Sequence, residues 1–76
     1  MEELLEILTD LHPDVEFETE EGLIDRKILD SLDIVSIISE VSDVFDVTIT
    51  AKNITPENFN SAQALYELVR RLEDEG

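Results

Sequence analysis

Ser31 is the side chain in this sequence best placed for covalent chemistry. It stands in Leu29-Asp30-Ser31-Leu32-Asp33, where a long acidic connection passes into an apolar run from Ile34 to Phe45. Asp30 is a preferred N-cap type, expected to accept from the backbone N–H of Leu32 or Asp33, and Asp33 puts a second carboxylate into the first turn. A helix is therefore predicted to begin at Ser31. Its hydroxyl would lie beside free backbone N–H groups and the positive end of the helix dipole, where a phosphate ester is stabilised. Taken alone, Asp-Ser-Leu is more often a plain helix start than a modified serine.

Little else in the chain offers chemistry. There is one His and no Cys, and no glycine-rich phosphate loop, His-Glu metal spacing, calcium-loop sequence or catalytic set with a histidine base. The protein is not expected to be an enzyme or to hold a metal. His12, directly before Pro13, reads as a helix-end residue and not as a base or ligand. Arg26-Lys27, a basic pair just before the serine, is expected to neutralise Glu20, Glu21 and Asp25; contact with a phosphate-bearing group is the weaker alternative.

Seventy-six residues suffice for a single domain spanning 1–76, with a core worth only about 3–5 kcal/mol of net stability and little room for a buried cleft. The absence of Cys suits a reducing compartment. Met1-Glu2-Glu3 does not open a leader, and no apolar run reaches membrane-spanning length, so a cytoplasmic, soluble chain with no membrane insertion is expected. Twenty acidic against five basic residues give a net charge of −15. Nucleic acid and anionic headgroups would be repelled, while basic patches on other proteins would be met quickly and released easily.

The elements that must hold Ser31 follow from apolar spacing. Leu4, Ile7, Leu8 and Leu11 share one helix face, and His12-Pro13 ends that helix. Residues 14–29 form a long acidic loop, expected to be pinned by Val15, Phe17, Leu23, Ile24, Ile28 and Leu29, with one helical turn near Leu23 as an option. A second helix runs from Ser31 to Phe45. At about 100° per residue its core face collects Ile34, Ile37, Ile38, Val41, Val44 and Phe45. Its opposite face carries Leu32, Ser36, Ser39 and Asp43, flanked by Asp33 and Glu40. That face suits a partner surface, or an ordinary solvated face with one stray leucine.

Asp46 to Thr50 alternates like a strand but has no second strand to pair with, so an extended connector burying Val47 and Ile49 is predicted. Thr55-Pro56 starts a short helix ending near Phe59. Asn60-Ser61-Ala62-Gln63 looks like a capping box opening a last helix to about Asp74, with Ala62, Leu65, Leu68, Val69 and Leu72 on its apolar face. Tyr66 belongs at the rim of the core. The predicted architecture is all-α, a small bundle of three main helices plus one short helix.

Leu29-Asp30-Ser31-Leu32-Asp33 opening an acidic helix, Phe45 closing it, Val47 and Ile49 following, and Thr55-Pro56-Glu57-Asn58-Phe59 before a last helix together resemble the acyl carrier protein family over nearly the whole chain. The resemblance implies that Ser31 carries 4'-phosphopantetheine, transferred from coenzyme A by a separate Mg-dependent phosphopantetheinyl transferase, with Asp30 adjacent as the helix cap. The arm's thiol would hold an acyl or aminoacyl thioester for a loading ligase and downstream acyl-transfer enzymes. Their basic docking patches would meet Leu32, Asp33, Ser36, Ser39, Glu40 and Asp43 on a monomeric carrier. An acyl chain would slip in near Val35, Ile38, Ile54 and Phe59.

Leu23 to Asp33 looks more like D-alanyl carrier proteins than like carriers of fatty-acid synthesis. The chain departs from these relatives at Lys27, where they often have glycine, and from the fatty-acid type at Ser36 and Ser42, where glutamates are usual. Two alternatives stand beside a fatty acyl or polyketide carrier: a D-alanyl carrier for cell-wall polymer modification, and an acidic non-carrier module that binds a basic protein through the second helix.

Overall fold

Three amphipathic helices wrap one apolar core. The computed structural model describes residues 2–75. Helix α1 spans Glu2–Leu11, α2 Ser31–Phe45, α3 Pro56–Phe59 and α4 Ala62–Glu75, with a single 3₁₀ turn at Ala51–Asn53. The described residues contain no strand, and residues 47–50 form no regular element, Thr50 being extended where it caps the 3₁₀ turn. The protein is a small all-α bundle in which α1 packs against α2 and α4, and α3 against α4. No helix among the described residues is long and apolar enough to cross a membrane.

The core draws on all four α-helices and on the long loop. Leu4, Ile7 and Leu8 enter from α1, Ile37 and Val41 from α2, Phe59 from α3, and Ala62, Leu65, Leu68 and Val69 from α4; the long loop adds Phe17, Leu23 and Leu29. Val15, Ile24 and Ile28 pack partly buried against this cluster, as do Val47 and Ile49 of the connector. Burial of those apolar side chains is what orders a loop too acidic to hold itself together.

Two expectations need correction. The spacing predicts Val44 on the core face of α2, yet it is 46% exposed; one residue from the helix end, it lines an open depression with Glu2 and Glu3 of α1 and Tyr66, Arg70 and Glu73 of α4, so the neighbouring helices flank it without covering it. The start of α4 is also not the box Asn60-to-Gln63. Ser61 caps it, its Oγ accepting from the Ala64 N–H at 3.0 Å, which leaves the Asn60 side chain free for another task.

Near Leu23 the loop makes one turn of helical spacing that does not extend into a helix: the Arg26 N–H donates to the Gly22 carbonyl four residues back at 2.8 Å, and that of Lys27 to Ile24 at 3.0 Å. Lys27 sits in the left-handed region, φ 58°. Glycine adopts that conformation freely, whereas a residue with a Cβ carries a cost of about 1–2 kcal/mol. Lys27 thus occupies a position whose backbone favours glycine.

Candidate functional site

Asp30 and Asp33 build the ledge on which Ser31 stands. Asp30 is extended, and its Oδ1 accepts from the Asp33 N–H at 2.9 Å; Asp33 Oδ2 in turn accepts from the Asp30 N–H at 3.2 Å. This reciprocal capping box satisfies two N–H groups and fixes the first turn. The N–H groups of Ser31 and Leu32, at the first two helical positions, have no intrahelical acceptor available to them. Ser31 itself is exposed. Its hydroxyl therefore stands in the open beside two unfilled donors and the positive end of α2.

A contact from the neighbouring helix braces this turn. His12, just past the end of α1, brings Nε2 to 2.8 Å from Asp33 Oδ2. The separation is that of an ion pair, whereas its alignment falls short of a well-formed hydrogen bond, leaving the buried Nε2 without a proper acceptor. Such a contact is attractive when the ring is protonated. Sequence reading placed His12 correctly at a helix end but missed this role, because residues 12 and 33 meet only once α1 packs on α2.

Partial burial pushes the Asp33 carboxyl up, but the His12 ring and the Asp30 backbone N–H outweigh it and hold the group below its usual value of 3.8. A carboxylate whose pKa is lowered by folding contributes stability that is fully present above the unfolded value and is lost as pH falls through the folded one. Asp33→Asn should accordingly lower the urea midpoint at pH 7, and the gap from wild type should narrow in acid below pH 3.8. A gap that stays constant with pH would show that Asp33 acts there without its charge.

The outer face of α2 follows the periodicity. Leu32 is 78% and Val35 63% exposed, with Ser39, Glu40 and Asp43 exposed further along and Ser36 half-buried. Ser39, Glu40, Ser42 and Asp43 line a shallow open depression. It begins eight residues beyond Ser31, about 12 Å along the axis at 1.5 Å per residue, and so belongs to the helix face and not to the serine. Of the four residues named for an acyl chain, Phe59 is buried, Ile38 half-buried, and Val35 and Ile54 are exposed.

The basic pair before the serine divides. Arg26 Nη1 bonds both oxygens of Glu20 at 3.0 and 3.1 Å, so the expected neutralisation is met by Glu20. Lys27 makes no ion pair within 4.0 Å among the described residues. No group of three or more His, Asp or Glu among those residues is arranged to hold a metal ion. No family model, curated protein or solved structure matches the chain.

Proposed function

We propose that this protein is an acyl carrier: Ser31 receives 4'-phosphopantetheine, and the arm's thiol carries an acyl or aminoacyl group as a thioester between partner enzymes. The observation that carries this reading is an exposed Ser31 hydroxyl on the first turn of α2, held by the Asp30–Asp33 box. In the attachment step Ser31 Oγ attacks the phosphorus of coenzyme A that bears the pantetheine. A phosphodiester forms, adenosine 3',5'-bisphosphate leaves, and the hydroxyl proton passes to a base of the transferase. The carrier supplies the nucleophilic oxygen, and the capped helix end supplies N–H groups for the new anion.

Tethering rather than tight docking is what a bundle of this kind contributes. One covalent arm lets successive enzymes meet the cargo at high effective concentration, so each protein contact can be weak and brief. Leu32 and Val35, exposed near the start of α2 with acidic Glu40 and Asp43 exposed further along the same helix, suit partners that offer a small apolar pocket and a basic patch along the helix. Phosphopantetheinyl transferase, a loading ligase and acyl-transfer enzymes are the proposed partners. The chain itself performs no catalysis on this reading.

Incubation with coenzyme A, Mg²⁺ and a broad-specificity phosphopantetheinyl transferase should add one arm to the wild type, read as a single mass gain, and nothing to Ser31→Ala. An unmodified wild type, or a gain that survives Ser31→Ala, defeats the assignment and leaves the acidic docking module as the alternative. Loading the modified protein with D-alanine by an adenylating enzyme, against loading with a fatty acid, then assigns the cargo.

A further inference from the structure

The Asn60 side chain, freed from capping α4, reaches across the molecule into the loop that precedes Ser31. Its Oδ1 accepts from the Ile24 and Asp25 N–H groups at 3.0 and 3.1 Å, across 36 and 35 residues of sequence. Its Nδ2 donates to Asp25 Oδ2 at 3.2 Å, and its backbone carbonyl accepts from the Leu23 N–H at 2.9 Å. One residue at the α3–α4 junction thus holds three consecutive residues of the loop.

Leu23 passes the constraint on. Its carbonyl accepts from both the Ile28 and the Leu29 N–H groups, at 2.9 and 3.0 Å, and Leu23 and Leu29 are 1% and 5% exposed. Leu29 is bonded directly to Asp30, the cap of α2. The route from junction to serine is therefore continuous: the Asn60 side chain fixes Ile24 and Asp25 within the turn that Leu23 closes, and that turn passes through Leu29 and Asp30 to Ser31. Between the two leucines lies Lys27 in its costly left-handed conformation, which persists only where surrounding bonds over-determine it.

We propose that Asn60 is a positioning residue for Ser31, clamping the loop so that α2 begins at a fixed place and Ser31 Oγ is presented in one orientation for attachment of the arm. The proposal rests on the carrier reading for its chemistry and on the hydrogen-bond route for its geometry. Removing the Asn60 side chain leaves the serine, its capping box, the outer face of α2 and the Leu23 N–H bond to the residue-60 carbonyl in place, while releasing Ile24 and Asp25 and with them the turn that leads through Lys27 to Leu29. The loss should fall on the rate of transfer more than on KM, because a misplaced nucleophile still docks.

Asn60→Ala tests this with two readouts. Amide hydrogen exchange at Ile24, Asp25 and Leu29 should accelerate about tenfold, the scale of a lost hydrogen bond, with Leu68 of α4 unchanged as an internal reference; kcat for arm transfer should fall by a similar factor. Asn60→Asp faces Asp25 with a like charge and should do the same. Adding Asp25→Asn to it reverses donor and acceptor and should restore both readouts. Faster exchange at Ile24 and Asp25 with Leu29 and kcat unmoved would overturn the proposal, as would acceleration at Leu68 in step with the loop. A wild type that accepts no arm while its Leu29 amide still follows Asn60 would sink the carrier reading and uphold the clamp.

Discussion

Phe59→Ala should leave the protein largely unfolded at 25 °C, with no cooperative thermal transition in circular dichroism. Phe59 is 1% exposed and among the largest fully buried side chains of the core, and it closes α3 against α4. Truncating a buried phenylalanine removes its transfer free energy and leaves a cavity, together about 3–5 kcal/mol. A domain this small has a net stability of about the same size, so one substitution consumes it. Val44→Ala is the matched control. At 46% exposure Val44 lies outside the core, and its truncation should cost no more than about 0.5 kcal/mol. A cooperative melt of Phe59→Ala within a few degrees of wild type would mean that α3 is not part of the stabilising core.

Those two residues also mark what the sequence could convey. Helical spacing identifies a face, and its centre, Ile37 and Val41, is buried as the spacing requires. Periodicity carries no information about how closely neighbouring helices cover a face, so Val44 at the end of α2 was legible as apolar but not as uncovered. Elements with local punctuation came through well. His12-Pro13 ends α1 at Leu11, Thr55-Pro56 starts α3, and the Asp30 cap starts α2 at Ser31. At α4 the start lay within two residues of expectation, but the capping residue was Ser61, because Asn60 has stronger claims elsewhere.

Candidate-site residues divide in the same way. Ser31, Asp30 and Leu32 depend on contacts within five consecutive residues, and their exposure and capping were readable from types and order alone. Ser36 was placed on the open face and is half-buried, a matter of neighbouring elements that spacing does not record. His12 on Asp33 and Asn60 on Leu23, Ile24 and Asp25 join residues distant in sequence. A single polar residue at a helix end has many equivalent partners until the helices pack, and only the packed structure selects one.

Raising NaCl from about 0.01 M to 1 M should lift the melting temperature by about 10 °C, as the Debye length shrinks from about 30 to 3 Å. The net charge is −15 within a radius of gyration of 11.2 Å, so at low salt carboxylates on opposite sides of the bundle still repel. Contacts between like charges are worth about 1 kcal/mol each at close range in water. Relief of about 2 kcal/mol in total corresponds to about 8–16 °C for a domain of this size. Sequence and fold aggravate one another here: α1, α2 and α4 all lack a basic residue in the last turn, and α4 instead ends in Glu73, Asp74 and Glu75 against the negative end of its own dipole. Asp74→Lys and Glu18→Lys change the net charge equally, but only Asp74→Lys corrects a dipole, adding about 0.3–1 kcal/mol. Both should raise the low-salt melting temperature and flatten its salt dependence, Asp74→Lys by more. A melting temperature indifferent to NaCl and to both substitutions would show that the acidic surface imposes no strain on the fold.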